Sequence, residues 1–409
     1  MIRQKQSLPH QAVILAAGQS SRFSPFNSRR QHKSATELMG KPLIVRTVEA
    51  LKKLKISDIF VVHSPQDNSL PQILAHQGVR FVTQEKPRGM GDALLAVKPQ
   101  LNPNQVLVIN PQQINLADHL TAMAQAKITN ENVVLFSQPT TTPEKYGLLE
   151  LNGNRVTSVV EKPTSSVGLS NQRLLGIYLL TDQFLKLLAQ TEITKYQLEK
   201  TLNTFARNNR VLAVTSSAQT CTLKYAWDLF TISEVFFEQF AKKPVIHRTA
   251  QVHPTAIVEG PVIIEEDAKV YEYAIIKGPC YIGRHTVVGS YCKVRSGAVL
   301  EEGAQLQSHA EVKHSLIGEN TRLHSGFIGD SIIGENVRIG AGFITANRRF
   351  DRKTIRITVD GKPVDTGLSA FGALVGDNTS LGIHSGTNPG TVIPANSKIM
   401  PGTILPAQK

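Results

Sequence analysis

Three groups of residues in this 409-residue chain have types and spacing suited to chemistry. The run Leu15-Ala16-Ala17-Gly18-Gln19-Ser20-Ser21-Arg22 follows a short apolar stretch. A small-residue loop closed by a cation wraps the phosphates of a nucleotide with backbone N–H groups, and the side chain offsets developing charge. Arg295 and Lys313 stand eighteen residues apart, which is three hexads. If three hexads make one triangular coil, the two cations stack on adjacent rungs. A guanidinium fork beside an ammonium point charge suits a sugar phosphate. His324 lies in His324-Ser325-Gly326-Phe327-Ile328-Gly329-Asp330, and a neutral imidazole near pH 7 can take a proton from an amine. Cys221, Cys280 and Cys292 are the only cysteines, too few and too scattered for a disulfide framework or a thiolate zinc site. They imply a reducing, cytoplasmic compartment.

The elements that must position these residues change period midway. From residue 11 to about 225, apolar strands alternate with helical stretches. Gln11–Ala16, Ile59–His63, Arg80–Thr83, Val106–Asn110 and Asn132–Ser137 read as strands. Pro42–Leu54, Asp92–Lys98 and Leu116–Ala126 read as the helices between them. That alternation predicts a parallel, doubly wound sheet with its ligand at the carboxyl ends of the strands. Residues 144–180 turn β-rich and suggest an antiparallel insertion, and Asp228–Lys242 reads as a helix closing the domain.

After Pro244 the period is six. An apolar residue recurs without a break from Val252 through Val258, Ile264, Val270 and onward to Val312. The run slips phase at Ile317, Leu323, Ile328, Ile333 and Ile339, where some turns hold five residues. Residues 347–367 interrupt it with a polar loop, and it resumes at Val375, Leu381, Ile393 and Ile399. An amphipathic helix needs a period near 3.6. Hexads with one inward aliphatic specify a parallel β-helix. Two domains are therefore expected, over 1–243 and 244–409.

The first half resembles the sugar-1-phosphate nucleotidylyltransferases, and the second the left-handed β-helix acyltransferases. In order and length the whole resembles the bifunctional N-acetylglucosamine-1-phosphate uridylyltransferase/glucosamine-1-phosphate acetyltransferases. The resemblance implies an α/β Rossmann-like domain followed by a left-handed parallel β-helix, acting in nucleotide-sugar biosynthesis of the UDP-N-acetylglucosamine type, with the acetyltransferase half better preserved. It implies nucleotide binding by Leu15, Ala16, Ala17, Gly18, Gln84 and Gly89, with Arg22 and Lys33 as catalytic cations on the triphosphate. Gly147, Glu161 and Lys162 fall at the family's sugar-side positions, and Arg295, Lys313 and Asn347 at its sugar-phosphate and amine positions. His324 matches the catalytic base, and Ala341 falls where coenzyme A binds. Sugar 1-phosphate, nucleoside triphosphate and acetyl-CoA are the implied small-molecule partners, and a homotrimer the implied assembly.

Departures from the family pattern concentrate in the first half. Its members hold Mg²⁺ between two oxygen ligands. The second matches Asp228, but the first is replaced, because the chain reads Asn110-Pro111-Gln112-Gln113. A neutral amide is a weaker ligand than a carboxylate for a hard cation. Leu174 stands for a sugar-binding Asn and Lys195 for a Glu. In the second half Phe327 replaces a Tyr and Arg338 an Asn. Arg338 either adds a phosphate contact or fills the amine pocket. These substitutions leave open an alternative, a degenerate nucleotide-sugar-binding scaffold or regulatory homologue. The net charge of +13 suits anionic partners. Without basic blocks interleaved with aromatics it argues for phosphorylated small molecules over nucleic acid. No apolar run approaches the roughly 18–20 residues that span a bilayer.

Overall fold

The computed structural model describes residues 8–26, 31–102, 104–125, 132–161 and 170–407. The chain divides into two compact units. One comprises Met1–Gln19, Arg30–Thr36 and Pro42–Cys221; the other comprises Ser20–Arg29, Glu37–Lys41 and Thr222–Lys409.

The first unit is built on nine strands: β1 (Gln11–Ala16), β2 (Asp58–His63), β3 (Arg80–Thr83), β4 (Gln105–Ile109), β5 (Val133–Pro139), β6 (Gly147–Asn152), β7 (Arg155–Glu161), β8 (Gln172–Thr181) and β9 (Val211–Thr215). Their order in the sheet is β3-β2-β1-β4-β8-β5-β9-β7-β6. Val13, Ile14 and Val106–Ile109 are wholly buried, as near-continuous apolar strands covered on both faces must be. The helices fall close to their expected places, at α1 (Leu43–Lys53), α2 (Ser69–Ile73), α3 (Met90–Val97), α4 (Leu116–Thr121), α5 (Asp182–Gln190) and α6 (Gln197–Asn208). In α1 the buried Leu43, Ile44, Val48 and Leu51 form one apolar stripe. Thr181 caps α5 by accepting from the Phe184 N–H at 3.3 Å.

The antiparallel insertion expected over residues 144–180 lies on one side of the sheet. β8 runs antiparallel to both β4 and β5. The chain between β5 and β8 includes the β6–β7 hairpin instead of a crossover helix, and antiparallel neighbours need no such crossover. β1 lies between β2 and β4, parallel to both, so the strand order reverses there and a crevice opens at its carboxyl end.

The second unit is the left-handed parallel β-helix of hexapeptide repeats. Three eight-stranded parallel sheets form its faces. Neighbouring rungs pair eighteen residues apart at first, as Val252 with Val270. The offset then shortens to seventeen at Leu306 with Leu323 and sixteen at Leu323 with Ile339, where the sequence slips phase. Inward residues such as Val270, Val288, Leu306, Leu323 and Ile339 stack into one continuous core. One corner repeats a left-handed backbone at Asp267, His285, Gly303, Asn320 and Asn336, a conformation that Asn, Asp and Gly tolerate best. The polar interruption carries a hairpin, Arg356–Val359 against Lys362–Asp365. Ile332 consequently pairs with Leu374 across the insertion.

Helix α7 (Asp228–Phe237) stops short of the expected Lys242 and belongs to this second unit, where a helix closing the first was expected. Its Phe230 stacks on His314 at 4.7 Å and meets Phe371 edge-on at 6.0 Å. The apolar side of the helix is thus buried on the β-helix.

Candidate functional sites on the two units

In the first unit, Leu15, Ala16 and Ala17 end β1 and are buried, while Gly18 is exposed in the loop that follows. Beneath that loop lies His32, 6 % exposed. Its backbone N–H donates to Asp67 at 2.8 Å, and its Nδ1 accepts from the Ser34 N–H at 3.2 Å. A Cβ on Gly18 would lie 3.7 Å from the His32 Nε2. Burial, reinforced by neighbouring Lys33 against the opposing pull of Asp67, lowers the imidazole to about 3. It is therefore neutral at pH 7. With Nδ1 accepting, Nε2 carries the proton. Lys33 follows it, half-buried. Arg22 is exposed and, with Ser20, belongs to the second compact unit. Ser20 adopts a left-handed φ of 51°, the conformation for which the family's glycine is suited.

Gln84 is buried at the end of β3, and its amide is already engaged. It donates to the Gly89 carbonyl at 3.1 Å and to Asp92 at 2.7 Å, while Arg88 pairs with the other Asp92 oxygen at 2.7 Å. Gln84, Arg88 and Asp92 line a cavity of about 430 Å³. Gly89 has φ 110°, and a Cβ there would approach the Lys195 carbonyl oxygen at 2.7 Å. Sequence reasoning missed Arg88 and Asp92, although their i, i+4 spacing at the start of α3 was a usable signal.

Gly147 and Glu161 pair directly across the β6–β7 hairpin. A Cβ on Gly147 would sit 2.6 Å from the Glu161 carboxylate, so glycine makes room for that acid. Lys162 lies outside the described residues. Leu174 packs against the apolar core.

The expected Mg²⁺ ligands do not fit that ion. Gln112 offers only a neutral amide, and its buried Oε1 has no hydrogen-bond partner. Asp228 begins α7 in the second unit, where its Oδ2 accepts from the Lys224 and Tyr225 N–H groups at 2.6 and 2.8 Å. Among the described residues no group of three His, Cys, Asp or Glu could hold a metal.

In the second unit, Arg295 and Lys313 pair in register on adjacent rungs, as the eighteen-residue spacing requires. Both are internally paired. Arg295 meets Glu311 at 2.7 Å, and Lys313 meets Asp330 at 3.1 Å. Asp330, 4 % exposed, is a hub. It also takes His314 Nδ1 at 2.9 Å and the Asn347 amide at 2.5 Å. Burial pushes its carboxyl up, but the bonds from His314, Asn347 and Lys313 outweigh burial and hold it below the usual range. The role of His314 was not foreseen, since nothing in the hexad pattern marks that position.

His324 is exposed and opens the turn into the face that carries Lys313. Strand Gly326–Gly329 leads from it toward Asp330, so His324 and Lys313 stand near opposite ends of one face, on adjacent rungs. Phe327 lies between. A Cβ on Gly329 would meet Phe327 at 2.6 Å and Asn347 at 3.0 Å, so those two side chains converge there. Ala341 sits at a corner, its carbonyl accepting from the His384 N–H at 2.8 Å.

Comparison with known proteins matches both halves. The Nucleotidyl transferase family covers residues 11–228, and the GMPPB C-terminal domain family covers 258–364. The chain is 31 % identical to Bifunctional protein GlmU of Methanococcus maripaludis, over 95 % of this chain and 92 % of that protein. It is 29 % identical to the Bifunctional sugar-1-phosphate nucleotidylyltransferase/acetyltransferase of Sulfurisphaera tokodaii, covering 95 % of each. The first half shares its fold with UDP-glucose pyrophosphorylase complexed with UDP-glucose, at TM-score 0.50 and 19 % identity, over 56 % of this chain and 98 % of that one. With a nucleotidyl transferase unit and a hexapeptide-repeat unit matched along nearly its whole length, the chain is a transferase belonging to the GlmU-type bifunctional sugar-1-phosphate nucleotidyltransferase/acetyltransferase family.

Proposed function

We propose that the β-helix unit transfers an acetyl group from acetyl-CoA to an amino-sugar 1-phosphate, with His324 as the base. The observation that carries this reading is the in-register stack of Arg295 and Lys313 on one face, with Phe327 and Asn347 converging on the rungs that follow and His324 at the corner beside them. The sugar phosphate meets the two cations, and the sugar extends toward His324. The imidazole takes a proton from the ammonium-derived amine as its nitrogen attacks the thioester carbon. The C–S bond then breaks, an amide forms, and the thiolate leaves to be protonated. Asp330 takes no part in that proton transfer; it holds Lys313 and Asn347 in place.

The test is acetyl transfer from acetyl-CoA to glucosamine 1-phosphate. His324→Ala is expected to lower kcat at least 100-fold with little change in stability, in keeping with the 10²–10⁴-fold worth of general-base catalysis. A wild-type enzyme inert toward every hexosamine 1-phosphate would overturn the reading.

For the first unit a second reading has its own support. The neutral Gln112 and the capped Asp228 favour nucleotide-sugar binding over efficient nucleotidyl transfer. Nucleoside triphosphates or nucleotide sugars are then expected to raise the melting temperature, with Mg²⁺ adding little. Rapid Mg²⁺-dependent pyrophosphate release would remove this second reading.

A further inference from the structure

Four cations on the β-helix are paired with an acid on a neighbouring rung: Lys277 meets Glu259 at 3.3 Å, Arg284 meets Glu302 at 2.8 Å, and Arg295 and Lys313 are paired as described. Arg322 and Arg338 are not. They occupy the same position on successive rungs, directly in register. The inward neighbours Leu323 and Ile339 are buried, so both arginines project outward, and both are exposed. Backbones of adjacent rungs are about 4.8 Å apart, so the two arginine side chains leave the backbone one directly over the other. Among the described residues neither makes an ion pair or a side-chain hydrogen bond. Below them in the column is Gln305, and above them Ser380, both neutral.

A cavity of about 440 Å³ opens on this column, lined by Arg322, Arg338, His324, Gln307 and Ser380, with no acid among its lining residues. Two like charges stacked without a counter-charge repel each other. A bound dianion relieves that repulsion, and guanidinium forks match phosphate oxygens in pairs. We propose that Arg322 and Arg338 form a second phosphate site, on the other side of His324 from Lys313. His324 is then flanked by a phosphate site on either side. On the reading of this face as an acetyl-transfer site, the phosphate belongs either to the coenzyme or to an acceptor sugar seated here instead of at Arg295 and Lys313.

Isothermal titration of the full-length protein separates these cases. The ligands are acetyl-CoA, 3′-dephospho-acetyl-CoA, glucosamine 1-phosphate and glucosamine, and the proteins are wild type, R322Q/R338Q and R322K/R338K. The wild type is expected to bind one phosphorylated ligand at least tenfold more tightly than its dephosphorylated partner. R322Q/R338Q should lose that discrimination, and R322K/R338K should keep part of it. The pair that discriminates names the source of the phosphate. Inorganic phosphate at 10 mM, roughly the scale on which single-anion sites fill, should raise the melting temperature of wild type more than that of R322Q/R338Q. Removing the stacked charges should leave the unliganded variant at least as stable as wild type. Unchanged discrimination in R322Q/R338Q, or equal phosphate stabilisation of both proteins, would overturn the proposal. Arginine-dependent binding without acetyl transfer would instead remove the acetyl-transfer reading and leave the phosphate site standing.

Discussion

At Asp330 three donors converge on one buried carboxylate, and the consequence is a pH signature. Its folded pKa is depressed, so its stabilisation is fully present above the unfolded value near 3.9 and is lost as pH falls through the folded value. Asp330→Asn is expected to cost roughly 1–3 kcal/mol at pH 7. That deficit should shrink as pH falls below the unfolded value and through the folded one, as read by urea unfolding at neutral and at acid pH. A deficit independent of pH would contradict it. His32 gives the opposite case, a base held neutral with its pKa lowered to about 3. Between that value and its unfolded 6.5, the unfolded chain binds the proton and the folded chain does not. Stability therefore falls as pH drops through that window, with a slope of up to about 1.4 kcal/mol per unit. His32→Gln, which cannot titrate, should flatten the stability profile from pH 6 to 4.

At the scale of elements, the legibility of the sequence depended on how far apart the determining residues lie. β1 and β3 fall on their expected residues, since each is an apolar run punctuated locally. The β-helix was readable for the same reason: each hexad declares one inward side chain, and register follows by counting. Arg295 over Lys313 needed nothing else. What was not readable depends on contacts between distant segments. Helix α7 is captured by Phe371 and His314, far along the chain. The Asp330 hub likewise draws on three different stretches of sequence, so Lys313 and Asn347 were anticipated only for other roles and His314 not at all. Turn glycines carry a testable share of this architecture. A Cβ at Gly326, where φ is 129°, would collide with the Phe343 carbonyl of the next rung. Gly326→Ala is expected to cost at least 1–3 kcal/mol, the usual range for overpacking. Thermal unfolding measures it, and a neutral substitution would mean that the rung can shift.

For the whole molecule, the proposed assembly is a homotrimer with coenzyme sites between neighbouring β-helices. Sedimentation equilibrium should return about three chain masses at micromolar concentration, well above the Kd expected for stable interfaces; a monomer there would exclude shared sites. Among the described residues no helix is long and apolar enough to cross a membrane. Burial raises the thiols of Cys280 and Cys292, which keeps them unreactive.

The stacked rungs also have two ends. The inward residues Val252 and Val258 near the first coil, and Ile399 and Leu405 on the last, are only partly buried, whereas Val294, Val312, Leu323 and Ile328 midway are sealed. A ladder held only by nearest neighbours unzips from its termini. Amide exchange should accordingly run fast at both extremities and slow through the coils bearing Arg295, Lys313 and His324. Placing reactive groups halfway along such a stack shelters their alignment from fraying that the tips cannot avoid.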